Sequence, residues 1–515
     1  MAIQASRRLP CIRPAFPLFI AFSAALLLAG VPAGADEPAV EALTLRQVVQ
    51  TVRADGRSVR SKRLDRDIAS AAVDRARGAF EPTFTVSATR AHDRQRSTPE
   101  EDLARYGVGN QVGLYERDSR DYAATIGALL PTGAKLEAKA TLSEFLTNIS
   151  RALRQSGTFD MRAGYGLSLT QPLARDAGRD VAQARVKVAE LDDAAAAQAS
   201  LDAESGAVAE VCMVYFDLAF AQQRLAIAQE RIRNGEQVLT EAQARVHLGR
   251  APEAELWEVQ NALARYRVAY SEAEQQQLER MNRLRTLLNT NAAAKPQPIV
   301  AADPLPPVRT EPPALERSLQ LARENRTDLR GKRLAMERET VQLSFARNQL
   351  LPRVDLVASA GFNGLDTRRL AALDPDRVQP YPNWSIGLQV SIPMDGNQQA
   401  RADLRTALAR RQEAEEAIGA LEAAIANDVE TSVGLMASAA RRHALTSEVV
   451  QRELRQLALD RRRMQEGRGS LREVLISQER ASSAQMQALD NQTQSAKADI
   501  LLEAAQGTLL ARFRP

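Results

Sequence analysis

Residues 383–393 read Asn-Trp-Ser-Ile-Gly-Leu-Gln-Val-Ser-Ile-Pro. Successive side chains of an extended chain point to opposite sides, so Trp384, Ile386, Leu388, Val390 and Ile392 share one face, while Ser385, Gly387, Gln389 and Ser391 share the other. One face is greasy and the other is small and polar. That pattern suits a sheet packed on helices, or a strand with lipid on one side and water on the other. At about ten residues it has the length that crosses an outer membrane at a tilt. Three further stretches behave alike. Val354, Leu356, Ala358, Ala360 and Phe362 oppose Asp355, Ser359, Gly361 and Asn363, with Val357 as the exception. Phe84, Val86 and Ala88 oppose Thr83, Thr85 and Ser87, and Tyr165, Leu167 and Leu169 oppose Gly164, Gly166, Ser168 and Thr170.

Between these stretches the period changes to that of a helix. From Arg179 to Leu248 there is no proline, and Val208, Val211, Tyr215, Leu218, Leu225 and Ile232 recur at three- and four-residue spacings and their sums. Roughly 70 helical residues span on the order of 105 Å. Residues 398–465 repeat that length. Flanking helices over about 45–79 and 253–289 are each half as long and would match one long helix if stacked end to end; another covers about 470–511. An antiparallel bundle follows, either a solvated rod or a wall of helices around a water-filled lumen.

The chain is written twice. Leu45–Ala88 aligns without a gap on Leu315–Ala358, at an offset of 270 residues: Lys62-Arg63-Leu64 falls on Lys332-Arg333-Leu334 and Pro82 on Pro352. Gln183-Ala184-Arg185 matches Gln399-Ala400-Arg401, and Gly249-Arg250 matches Gly467-Arg468. The units are therefore 36–290 and 314–515, joined over 291–313 by a connector whose seven prolines forbid a continuous helix.

Composition narrows the class. The 515 residues are 44% hydrophobic and 26% charged with a mean hydropathy of −0.32, too apolar for disorder and too polar for a polytopic helical membrane protein. Only 4% are aromatic, as in chains dominated by long helices. Residues 1–35, with arginines, an apolar run from Ala15 to Gly30 and Ala33-Gly34-Ala35, are expected to be a cleaved secretory signal. Val31 stands where a lipidated cysteine would be, so no lipid anchor is expected. Of the two cysteines, Cys11 leaves with the signal, so no intramolecular disulfide is expected for Cys212. The arginines alternate with acids along helical faces, which argues against nucleic acid as a partner.

Four strands cannot close a membrane barrel, whose smallest examples need about eight, and open edges in lipid leave unpaired backbone groups. If the stretches lie in lipid, the barrel must be shared between copies, and three copies would give twelve strands.

In this order and duplication the sequence resembles the TolC family of outer-membrane channels, over essentially the whole mature chain. The carriers are the opening helix Leu315–Asn325, the strand exit Leu169-Thr170-Gln171-Pro172-Leu173 with its partner Val390-Ser391-Ile392-Pro393-Met394, and the turns at Gly249 and Gly467. The resemblance implies an α+β membrane protein: a long antiparallel α-helical periplasmic tunnel with a shared outer-membrane β-barrel, about four strands per chain and two internal structural repeats. It implies a homotrimer in the cell outer membrane of a Gram-negative bacterium, extending into the periplasm. There it would be the exit duct of a tripartite efflux pump or type I secretion system, docked to a periplasmic membrane-fusion adaptor and an inner-membrane pump of RND or ABC type. Trp384, Ile386, Leu388, Val390, Phe84, Val86, Tyr165 and Leu167 would face lipid. Leu248, Gly249, Arg250, Met464, Gly467, Arg468 and Ser470 would form the adaptor-contacting tips. A periplasmic gate would rest on Glu255, Glu473 and Arg468; the family's second acid falls on Ile476, and its latching basic residue on Gly469.

One region is longer than the pattern needs. About ninety residues separate Pro82 from Pro172, against about forty between Pro352 and Pro393. The excess carries a hairpin signal around Pro131-Thr132-Gly133. It is expected to form an external loop or to fold against the barrel rim rather than to add two strands, which would make eighteen.

No enzyme signal accompanies this architecture. His92, His247 and His443 lie in different elements, and neither a phosphate-cradling loop nor a nucleophile elbow is present, so no catalytic residue, cofactor or metal is expected. The alternative function is a periplasmic coiled-coil scaffold or adhesin without a pore, which would have to bury the greasy strand faces.

Overall fold

The computed structural model describes residues 41–106, 113–154, 157–249, 251–289, 298–374 and 382–514. The expected signal, Arg250 and the start of the proline-rich connector lie outside the described residues.

The elements used below are, in chain order, β1 (Glu41–Leu43), α1 (Leu45–Asp55), α2 (Arg57–Arg77), β2 (Thr83–Arg96), β3 (Leu114–Leu129), β4 (Lys135–Thr147), β5 (Asp160–Pro172), α3 (Ala184–His247) and α4 (Glu253–Leu288). They continue with β6 (Ile299–Ala301), α5 (Leu315–Asn325), α6 (Thr327–Asn348), β7 (Arg353–Asp366), β8 (Pro382–Ser391), α7 (Gln398–Gln465) and α8 (Leu471–Ala505).

The two long helices, of 64 and 68 residues, each span on the order of 100 Å. Each forms an antiparallel hairpin with the helix after it, α3 with α4 and α7 with α8, and α3 also packs on α2, α6 and α8. Along α3 the short helices stack end to end: Arg77 pairs with Glu190 at 2.7 Å near one end, and Arg283 pairs with Glu210 at 2.7 Å further down.

Several expected boundaries shift. The opening helix is not continuous over 45–79: Gly56, with φ −57° and ψ 128°, separates α1 from α2. Arg326, 270 residues later, does the same between α5 and α6 with φ −63° and ψ 123°. The cap is alike at both breaks, with Gly56 N donating to Val52 O and Arg326 N to Ala322 O. A four-residue turn, Arg179–Ala182, precedes α3, and α8 stops at Ala505 rather than near 511. Gly507, at φ +70°, reverses the chain there and returns Leu509 and Phe513 to the core.

That core is a belt midway along the helices. Val48, Val49 and Val52 of α1 meet Val208, Val211, Cys212, Tyr215 and Leu218 of α3, Leu284 and Leu288 of α4, and Ile500 of α8. Full burial of each valine, leucine and isoleucine here contributes about 1.5–3 kcal/mol. The connector is more ordered than an extended linker: its β6 pairs in parallel with β1, and Ile299 and Leu305 enter the belt. Tyr215 Oη donates to Leu43 O at 3.0 Å and accepts from Asp303 N at 3.0 Å, tying connector, β1 and α3 together. Burial pushes the Tyr215 phenol up to about 12, and the Cys212 thiol likewise to about 12. Cys212 is thus a small buried hydrophobe of the belt.

At the end of the bundle opposite the Gly249 and Gly467 turns, one six-stranded antiparallel sheet runs in the order β2-β3-β4-β5-β7-β8. The four-strand expectation is therefore corrected. The excess between Pro82 and Pro172 is no external loop: β3 and β4 form a hairpin paired along its whole length, Leu129 opposite Lys135, and are inserted between β2 and β5. The charged alternation of Lys135, Glu137 and Lys139 belongs to the polar face of β4.

Candidate functional site

Residues directly opposite one another in an antiparallel sheet share a face, so the pairing register converts four separate alternations into one surface. Phe84, Ile126, Ala138, Leu167, Ala360 and Trp384 form a single row across all six strands. The next row holds Val86, Ala124, Ala140, Tyr165, Phe362 and Pro382, and the one beyond it Ala88, Tyr122, Leu142, Ala163 and Gly364. In the opposite direction β7 and β8 continue with Ala358 beside Ile386, Leu356 beside Leu388 and Val354 beside Val390. The reverse face carries rows such as Thr85, Thr125, Lys139, Gly166, Gly361 and Asn383. A side chain at Gly361 would meet Tyr165 O at 2.5 Å, so only glycine fits where these strands approach most closely.

All eight residues singled out for a lipid-facing role fall on the apolar face. Trp384 is 78% exposed and Phe84 68%. Tyr165 is more covered, because its hydroxyl donates to Leu373 O at 3.1 Å in the loop between β7 and β8. Sequence reading missed the contribution of β3 and β4, although Tyr122, Ala124, Ile126 and Ala128 alternate as clearly as any strand in the chain. The sheet ends on β2 and β8, each paired on one side only.

The helical tips lie at the far end of the bundle. Gly249 at φ +69° and Gly467 at φ +73° close the two hairpins, donating to Val246 O at 2.9 Å and to Met464 O at 3.1 Å. The left-handed conformation explains glycine at both turns. Leu248 is 63% exposed and Gly467, Arg468 and Ser470 are also at the surface. Met464 is not: it lies in a small tip core with Val238, Ala242, Val259, Leu471 and Val474 that fastens one hairpin to the other. Its expected surface role is corrected, because the apolar stripe of α7 has to be covered by the neighbouring hairpin. Arg231 strengthens the same region, 4.5 Å over the Tyr266 ring and 3.2 Å from Glu479.

The three gate candidates are not brought into contact with each other. Glu473 belongs to a capping box: its Oε2 accepts from Ser470 N at 3.2 Å, while Ser470 Oγ accepts from Glu473 N at 3.3 Å. Glu255 lies in the first turn of α4, where its N–H donates to Pro252 O at 3.1 Å. Arg468 reaches Glu466 at 3.9 Å and is otherwise open. Within one chain Glu255 and Glu473 stabilise helix starts, where carboxylates complement the helix dipole. Among the described residues no group of three His, Cys, Asp or Glu could hold a metal, and no helix is long and apolar enough to cross a membrane.

Known proteins share this arrangement. Protein CyaE of Bordetella pertussis is 31% identical over 182 residues, 35% of this chain and 37% of that relative, so the match spans little more than a third of its length. The solved fold of the CmeC outer membrane channel of Campylobacter jejuni superposes with a TM-score of 0.63 at 14% identity, covering 90% of this chain and 86% of that one. The open-state MtrE outer membrane channel of Neisseria gonorrhoeae gives 0.60 at 18% identity, covering 90% and 89%. At these identities the structures establish the fold alone. The family model described as Outer membrane efflux protein matches residues 140–290 and 318–508, about two thirds of the chain. By that match the chain belongs to the outer membrane efflux protein family.

Proposed function

We propose that three copies of this chain close their sheets into one outer-membrane β-barrel continuous with a helical periplasmic tunnel. The assembly is the exit duct of a tripartite efflux pump or type I secretion system. The observation that carries this reading is the unbroken apolar face across six strands, bounded by two open edges. Unpaired edges are untenable in hydrocarbon, so β2 of one copy must pair with β8 of the next. Six strands from each of three chains make eighteen, in place of the twelve expected from four. The lower limit of the apolar face supports the tilt that such a barrel needs. It lies at Phe84 on β2 but six residues lower, at Val390, on β8, a drop of about 20 Å over about 24 Å of sheet width. That slope corresponds to about 40°, within the usual range for barrel strands.

On this reading Trp384, Ile386, Leu388, Val390, Phe84, Val86, Tyr165 and Leu167 face lipid, and the Thr, Ser, Gly and Lys139 rows line water. The two units of the chain are a duplication, supported by helix breaks at Gly56 and Arg326 that keep the 270-residue offset of the sequence match. The tips at Leu248, Gly249, Gly467, Arg468 and Ser470 face a periplasmic adaptor that couples the duct to an inner-membrane pump. Glu255 and Glu473, repeated around a threefold axis, place carboxylates at the narrow end and favour cations. The duct is passive, its energy coming from the pump. A soluble periplasmic scaffold would need the apolar rows covered, whereas Trp384, Ile386 and Leu388 stand open in the chain.

Electron microscopy of detergent-extracted protein from outer-membrane fractions tests the proposal. Threefold particles with a stalk on the order of 100 Å and an eighteen-stranded barrel are expected. A thin rod that stays soluble without detergent would discard the channel.

A further inference from the structure

Where the sheet meets the helices, a cavity of about 540 Å³ opens, within the usual size range of small-molecule sites. Its strand residues Leu129, Lys135, Thr170, Arg353 and Asp355 all have the register of the reverse face, so it opens on the side opposite the apolar rows. The remaining walls come from the end of α2, the start of α3 and the end of α6. The β3–β4 hairpin closes the cavity from the sheet side, and a side chain at Gly133 in its turn would meet Asp176 O at 2.6 Å. A second cavity of about 480 Å³ adjoins it along α6 and α7 and shares Arg185 and Phe345.

Both carboxylates of the first cavity are already engaged. Asp355, 3% exposed, is held by Arg353 at 2.7 Å, and Asp176 accepts from Gln349 Nε2 at 2.6 Å. Arg75, Lys135 and Arg185 also line the cavity and make no ion pair among the described residues, so cations are in excess. Between them Phe80, Val181 and Phe345 present half-buried apolar surface. Elsewhere the reverse face carries rows of Thr, Ser and Gly, which makes this combination of rings and unpaired cations distinct.

We propose that this cavity is a luminal binding site for amphiphilic organic anions, an apolar ring system carrying one carboxylate or sulfonate. The inference rests on the duct reading, in which the reverse face of the sheet lines water. Exposed cations alone hold a bare anion weakly in water, and an apolar wall alone does not select for charge. Together they choose a ligand that satisfies both, with the acid group on Arg185 and Lys135 and the ring against Phe345 and Phe80. A membrane lipid does not compete, because the cavity opens on the face turned away from the hydrocarbon. The carboxylates of the helical tips lie on the order of 100 Å away, about ten Debye lengths in physiological salt, and do not repel an anion here. A site within a conduit has to release what it binds, which suits a shallow cavity with exposed charges.

The test uses the full-length protein in phosphatidylcholine nanodiscs, titrated calorimetrically with naphthalene-2-sulfonate against empty nanodiscs. The sulfonate is expected to bind about tenfold more tightly than 2-naphthalenemethanol, about threefold for each of two cations, and more tightly than inorganic sulfate. Lys135→Gln combined with Arg185→Gln should remove that tenfold advantage. Phe345→Ala should weaken the sulfonate, and Phe345→Leu should keep most of its binding. Lys187→Gln removes a cation that pairs with Glu337 and lines neither cavity, and should change nothing. Equal binding of the alcohol or of bare sulfate, or full binding by the double Gln variant, would overturn the assignment. Single-channel recording of the same preparations separates the two readings. A normal pore without sulfonate binding overturns this site alone, whereas protein that forms no pore overturns the duct on which the inference rests.

Discussion

Replacing Ile386 with lysine probes the sheet at its most informative point. On β7 the apolar face runs from Val354 to Gly364, about 33 Å along the strand, or about 25 Å of height at a tilt of about 40°. Ile386 lies opposite Ala358, four residues above Val354 and so about 10 Å into that band, close to its midplane, and is 66% exposed. Lysine there should cost about 2–4 kcal/mol per chain, and about 0–1 kcal/mol at the edge of the band. Three copies in one barrel multiply the midplane cost to about 6–12 kcal/mol, comparable with the whole stability of a typical domain. Ile386→Lys should therefore abolish outer-membrane assembly, Val390→Lys at the lower edge should weaken it slightly, and Gln389→Lys on the reverse face should leave it intact. Heat-modifiable migration of the trimer from outer-membrane fractions, followed by urea titration in vesicles, measures all three. Damage from Val390→Lys equal to that from Ile386→Lys would indicate a protein-packed face with no lipid gradient. Normal assembly of Ile386→Lys would refute the orientation altogether.

Other outcomes follow from the tips and the belt. Ser470→Ala removes one half of a capping box and should lower stability by about 1 kcal/mol, visible as an earlier thermal transition. Glu473→Gln keeps the box but removes the charge, so melting should stay constant while the cation preference of single channels falls; unchanged selectivity would remove Glu473 from the constriction. Gly249→Ala and Gly467→Ala force φ of +69° and +73° on a side chain and should each cost about 1 kcal/mol without disturbing sheet assembly. Cys212, with its thiol pushed up to about 12 by burial, should resist alkylation at pH 8 in the mature native protein and react fully once unfolded; labelling of the native form would contradict the packing of the belt.

Much of this architecture could be read along the chain because it is encoded in local periodicity. The range expected for α7 equals the one observed, and the greasy alternation of residues 384–390 reappears as one open face. Proline and glycine positions marked the strand exits and the hairpin tips, since their backbone restrictions act residue by residue. Even the Ser470–Glu473 cap is written locally, as an S-x-x-E motif at the start of a helix.

What required the folded chain was everything set by non-local partners. Whether residues 114–147 dangle as a loop or enter the sheet depends on pairing with β2 and β5, and their mixed charges describe only the reverse face. Met464 looks like a surface residue beside a turn until the second hairpin covers it, and the connector looks extended until β1 offers it a partner. The pairing of Arg369 with Glu144 is not visible in the sequence at all: the two lie 225 residues apart and meet only because the loop after β7 returns to β4. Period-two and period-3.6 patterns choose the elements, but burial and register are settled by contacts between residues far apart in sequence, which no local pattern records.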